Sequence, residues 1–132
     1  MDKNKLNISK IETYLNGILD NTISNNTFFG SLPEPSSIPS KWNDMCFIDI
    51  PNGVRDYEAY GQGTVLVWLY ARPMSSGRKN VAIMSQLETR LNEVIASNSD
   101  STYQISRRLT YSTYDDDIKW HCNVVELILK IF

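Results

Sequence analysis

One histidine and two cysteines are all that this chain of 132 residues holds in imidazole and thiol groups. A zinc site would need His121, Cys122 and Cys46 with a fourth ligand, and none of the usual short spacings joins them. His121 and Cys122 are neighbours in a strand-like stretch, so their side chains point to opposite faces and cannot share a proton. In a reducing compartment the two cysteines read as buried free thiols. Basic charge is not in excess either. With 13 Lys and Arg against 15 Asp and Glu, the net charge of −2 argues against a dedicated nucleic-acid binder and its basic stripe. No apolar run approaches the ~20 residues that span a bilayer. Met1 to Lys5 carry charge and lack the apolar segment of a secretory signal, so synthesis and folding in the cytoplasm are expected. Gly61 and Gly63 lack a third glycine and precede a strand, which is not the arrangement of a phosphate cradle.

What is present is globular: 42% hydrophobic and 21% charged residues in a length that suits one domain, 1–132, around one core. Tyr60 to Arg72 is rich in β-branched and aromatic residues with no charge until Arg72, the pattern of a central strand covered on both faces. Pro73 and the turn residues Met74 to Gly77 end it. A helix then begins near Arg78 to Val81, with Asn80 as its N-cap. Met84, Leu87, Leu91, Val94 and Ile95 fall on one helical face and Gln86, Arg90 and Glu93 on the other. That apolar face requires a sheet beneath it.

Earlier in the chain, Ser9 to Glu12 has capping-box spacing, and Ile11, Leu15, Ile18 and Leu19 continue a helical stripe to about Ile23. The stretch 28–43 holds Pro33, Pro35 and Pro39 among serines, too much proline for a helix or interior strand. It reads as an extended arm, and Phe28, Phe29, Leu32, Ile38 and Trp42 favour docking, on its own domain or on a neighbouring subunit. Asp44 to Ile50 reads as a strand with Met45 and Phe47 on one face and Cys46 and Ile48 on the other. Val54 to Ala59 is a polar connection, which makes the flanking strands an antiparallel pair. After the second helix, Tyr103, Ile105, Leu109 and Tyr111 alternate with polar residues as a half-exposed strand. Ile118, Trp120, Cys122 and Val124 face inward on the returning strand. The apolar positions then change parity at Val125, which demands a bulge near Val124 and Val125 or burial of both faces. The expected class is α+β: an N-terminal helix and a four-stranded antiparallel or mixed sheet in β-β-α-β-β order, with the second helix on one face.

Asp115, Asp116 and Asp117 are hard oxygen ligands of the kind magnesium or calcium takes, without the glycine and ligand spacing of an EF-hand loop; such a run is more often a solvated hairpin tip. Asp117 and Lys119, with Asp49 or Glu58 from other elements, echo the carboxylate and lysine set of metal-dependent nucleases. That chemistry needs the groups to converge from adjacent strands. Arg107 and Arg108, with Arg78 and Lys79, place positive charge on either side of the second helix.

In element order and length the chain resembles the tail-terminator, or tail-completion, proteins of long-tailed bacteriophages. The resemblance rests on the strand Thr64 to Arg72, the helix Asn80 to Ile95, and the strands Tyr103 to Tyr111 and Ile118 to Ile131. It implies a structural virion protein without catalysis or cofactor. Such a protein assembles as a ring, a hexamer, on the last ring of the tail-tube protein and presents a face to head-tail connector proteins. Contacts are then expected at Phe28, Phe29 and Trp42 of the arm, at Arg55, Asp56 and Glu58 of the loop, and between Arg107 and Arg108 on one subunit and Asp115, Asp116 and Asp117 on another. Another neck protein, a small oligomeric adaptor and a metal-dependent nuclease are the alternatives.

Overall fold

A computed structural model describes residues 1–132 as α1 (Ile8–Leu19), β1 (Thr27–Phe29), β2 (Asp44–Asp49), β3 (Val54–Asp56), β4 (Gly61–Ala71), α2 (Val81–Ser97), β5 (Tyr103–Asp115) and β6 (Trp120–Ile131). Short 3-10 turns lie at Lys3–Leu6 and Pro35–Ser37. The strands make one mixed six-stranded sheet in the order β1-β2-β4-β6-β5, with β3 also paired to β4. The α+β class is as expected. The sheet has two strands more than the expected four, both from segments assigned to arm and loop.

The first addition is Thr27–Phe29, which runs parallel to β2 with Phe28 opposite Phe47. It hides an edge of β2 that would otherwise present unpaired backbone groups. The second is Val54–Asp56, antiparallel to the first residues of β4. Pro51, Asn52 and Gly53 bulge out between β2 and β3, which follow one another in the same direction along β4, with Gly53 at a φ of 67° that suits glycine; the chain turns back at 57–60, where the Tyr57 N–H donates to the Tyr60 carbonyl at 2.8 Å. The β4 glycines fit this hairpin closely. A Cβ at Gly63 would lie 2.8 Å from the Gly53 carbonyl oxygen, and one at Gly61 would collide with the Leu6 side chain. They are places of close approach.

β4 is central, as its composition requires, with β2 and β3 on one side and β6 on the other. It is not covered evenly. Gly61, Gly63, Val65, Val67, Leu69 and Ala71 are buried on one face, while Gln62, Thr64, Leu66 and Trp68 on the other are half-buried until Tyr70. The sheet thereby divides the interior in two. Both helices cover the first face: Ile11, Leu15 and Leu19 of α1 and Met84, Leu87, Leu91 and Val94 of α2 join a cluster of 19 buried residues. The second face holds a cluster of 5, Met45, Tyr70, Trp120, Cys122 and Val124, with Phe28, Leu32, Ile38 and Trp42 packed on it.

This division explains the parity change in β6. The strand alternates without a bulge; Trp120, Cys122 and Val124 belong to the second face, and Val125, Leu127, Leu129 and Ile131 to the first. The bulge lies in β5, where the register shifts between Arg107 and Leu109. It turns Leu109 and Tyr111 away from the face that holds Ile105, opposite Glu126 and Val124. Both are exposed, at 50% and 42%.

The helix ends follow local chemistry. Asn80 caps α2 by accepting from the Ile83 N–H at 3.2 Å. α1 starts at Ile8 after Asn7, so Ser9 lies inside its first turn, where its carbonyl accepts from the Thr13 hydroxyl instead of the side chain capping the helix.

Candidate interaction surfaces

The arm is a strap across the second face, and one residue ties it there. Arg72, the first charge after the central strand, donates from Nε to the Trp42 carbonyl at 2.6 Å and from Nη2 to the Pro39 carbonyl at 3.0 Å. Its guanidinium lies 4.6 Å from the centre of the Trp120 ring, and its own N–H donates to the Asn43 carbonyl at 2.9 Å. Trp42 meets Phe28 at 6.0 Å between ring centres. Phe29 lies on the other face, against the helix-side cluster. The three aromatic residues expected at a subunit contact are thus seated on the chain's own sheet.

Arg55, Asp56 and Glu58 gather at the far end, around the β3–β4 turn. Lys3 Nζ donates to Asp56 Oδ1 at 2.8 Å and to Glu58 Oε2 at 3.3 Å, which pins the N-terminal 3-10 turn to this loop. The hydrogen bond from Lys3 lowers the Asp56 pKa below its ordinary value, and the same bond raises that of Lys3. Arg55 lies over the Tyr57 ring.

The acidic run lies at the opposite end, in the β5–β6 turn. Asp115 is committed locally: Oδ1 accepts from the N–H groups of Asp117 and Ile118, and Oδ2 accepts from the Tyr70 hydroxyl at 3.2 Å. Lys119 sits in the turn with a φ of 61°. Asp49 pairs with Leu66 well along β4, and Glu58 is at the other end with Lys3, so the carboxylates considered for a nuclease site do not converge on Asp117 and Lys119. No group of three or more His, Cys, Asp or Glu side chains is placed to hold a metal ion. Cys46 and Cys122 are on opposite faces of the sheet. Burial raises both thiols, Cys122 to about 12, so they stay protonated at neutral pH.

Arg107 and Arg108 sit midway along β5. Arg107 donates to Asn92 Oδ1 and to Thr110 Oγ1, which fixes it across the bulge. Arg108 is exposed. Both arginines lie on a partly exposed edge strand, as expected, and that strand runs on to Asp115, past the expected end at Tyr111.

Two of the surface recesses lie near α1 and the strap. An apolar one of about 150 Å³ lies between α1 and the end of β2, lined by Ile8, Leu15, Phe29, Ile48 and Ile50 with Glu12 and Asp49. A polar one of about 430 Å³ lies beside the strap. Its groups satisfy one another: the Ser24 hydroxyl donates to Asp44, Asn26 Nδ2 to the Asp44 carbonyl, and Arg90 to the Ile23 carbonyl. No helix is long and apolar enough to cross a membrane. No protein-family model matches the chain, and no curated protein matches it.

Proposed function

We propose that the chain is a structural virion subunit of the tail-terminator kind, which assembles as a ring on the end of a phage tail tube and joins it to head-tail connector proteins. The observation that supports this reading is a sheet with two unlike edges on opposite sides. One is the long β5; the other is made by the short β1 and β3. Contact between unlike edges is head-to-tail, and head-to-tail contact closes into a ring when the rotation per subunit divides a full turn. Several such interfaces acting together would hold the ring on the tube end by avidity. The charged groups at the two ends of the sheet, Arg55, Asp56 and Glu58 at one and Asp116 and Asp117 at the other, are placed to meet rings or connectors above and below. Catalysis is not part of this reading.

Tail tubes polymerised with the purified chain should stop growing and carry a cap of six copies in electron micrographs. Tubes that elongate at an unchanged rate with bare ends would remove the reading. A second reading, a small dimeric adaptor, is favoured by the charge pattern of β5, with Arg107 and Arg108 before its exposed half and Asp115, Asp116 and Asp117 after it.

A further inference from the structure

The outer edge of β5 is guarded over only half its length. The Phe132 N–H donates to the Thr102 carbonyl, and this bond fixes the phase of the ladder to β6. Counting on through the bulge, Leu109, Tyr111, Thr113 and Asp115 turn their backbone groups to β6, and Tyr103, Ile105, Arg107, Thr110, Ser112 and Tyr114 turn theirs outward. Around Tyr103 and Ile105 the chain supplies its own partners. Asp100 N–H donates to the Tyr103 carbonyl, Asp100 Oδ1 accepts from Tyr103 N–H, and Ser99 Oγ accepts from Ile105 N–H. No other segment bonds the outward backbone groups of Thr110, Ser112 and Tyr114.

That bare half is Leu109-Thr110-Tyr111-Ser112-Thr113-Tyr114. It has no charge, proline or glycine, and Thr110, Tyr111, Thr113 and Tyr114 are of the types that favour strands. Leu109, Tyr111 and Tyr114 are 50%, 42% and 42% exposed. Left open, such an edge is a site for uncontrolled pairing. What flanks it identifies the occupant. Arg107 and Arg108 precede it and Asp115, Asp116 and Asp117 follow it, so the strand is positive at one end and negative at the other.

We infer that this edge pairs with β5 of a second copy, antiparallel, across a twofold axis at Ser112. The axis maps Ser112 onto itself, and because its N–H and C=O point outward the two copies exchange a pair of hydrogen bonds there. Thr110 then stands opposite Tyr114 and Leu109 opposite Asp115. One position further out, the bulged Arg107 and Arg108 lie beside Asp116 of the other copy. Opposite charges across neighbouring strands stabilise this register. A parallel pairing would set arginine against arginine and aspartate against aspartate. The pairing joins two six-stranded sheets into one. It goes beyond the ring, since it closes on two copies and occupies the edge that a ring neighbour would need; it is the form of the free chain.

Native mass spectrometry and sedimentation of the full chain test this. Wild-type protein should have twice the 15.1 kDa chain mass. Thr110→Pro removes an outward-facing N–H and the hydroxyl that accepts from Arg107, and leaves the ladder to β6 intact, so the mass should fall to that of one chain with the melting transition retained. Arg107→Asp with Arg108→Asp, and separately Asp116→Arg with Asp117→Arg, should each give single chains. Mixed in equal amounts, the two variants should combine one to one. A wild-type chain that stays single at its solubility limit, a Thr110→Pro chain that still pairs, or charge-reversed variants that do not combine would overturn the inference. Six copies unaffected by Thr110→Pro would overturn it and leave the ring standing; pairs that leave tube ends bare would do the reverse.

Discussion

The two faces of the sheet share every strand and differ in what covers them. Helix-side positions are buried from Gly61 to Ala71 in β4 and from Asn123 to Ile131 in β6, under two helices whose buried residues join one cluster with them. On the opposite side only the end near Tyr70 and Trp120 is buried, beneath a strap without regular structure apart from one 3-10 turn. Leu66, Trp68, Glu126, Ile128 and Lys130 remain half-buried there. Trp68 even keeps a buried indole N–H without an acceptor. A face closed by helices stores stability, and a face closed by a strap leaves sheet surface within reach of another molecule.

That difference can be broken first at its strong side. Leu87 is fully buried on the sheet-facing side of α2, in the cluster of 19, and Leu87→Ala should cost about 2 to 5 kcal/mol, the range for a large apolar side chain removed from a close-packed site. A shift in the denaturation midpoint at constant m-value would measure it. At the weaker side the sensitive residue is Arg72. Arg72→Ala removes two charge-assisted hydrogen bonds to the strap and the contact with Trp120, and should cost roughly 1 to 3 kcal/mol. Its distinguishing signature is local: proteolysis within 30–43 should accelerate more than the loss of global stability accounts for, because the strap can lift while the helix-side cluster holds. Cleavage that rises only with global unfolding would show the strap to be as integral as the helices.

Residue pattern made the long elements legible and left the short ones hidden. β4 and α2 were readable because each carries many residues in one unbroken period. The cap at Asn80 was readable because its chemistry is local. β1 and β3 are 3 residues each, too short to show any period, and both exist because a neighbouring strand offers them an edge. Asn52 and Gly53 lie in a bulge after which β3 continues along β4 in the direction of β2, and the polar residues that follow hide the strand. The parity change at Val125 was read correctly as a constraint, and its cause, burial on both faces of β6, depends on the strap, whose docking no local pattern encodes. Among the surface residues, the arginines and aspartates flanking β5 were visible as charges. Their meaning required the phase of the ladder, which only pairing with β6 supplies.

The smallest effect belongs to a tie that is prominent in distance and weak in energy. Lys3 reaches Asp56 at 2.8 Å, yet their side chains are 47% and 41% exposed, so water and salt screen most of the attraction. The sign is still defined. Asp56 has a folded pKa below 3.8, so its contribution is complete above that value and is lost as pH falls through the depressed pKa. Lys3 has a folded pKa above 10.5, so its contribution is present below 10.5 and is lost as pH rises through the raised value. Between those limits the tie is constant. A carboxyl NMR titration should place Asp56 below 3.8 in the wild type and move it up towards 3.8 in Lys3→Ala, while the melting temperature hardly changes. A large drop in melting temperature would mean that the N-terminal turn, through Leu6 over Gly61, closes the helix-side cluster as firmly as the helices do.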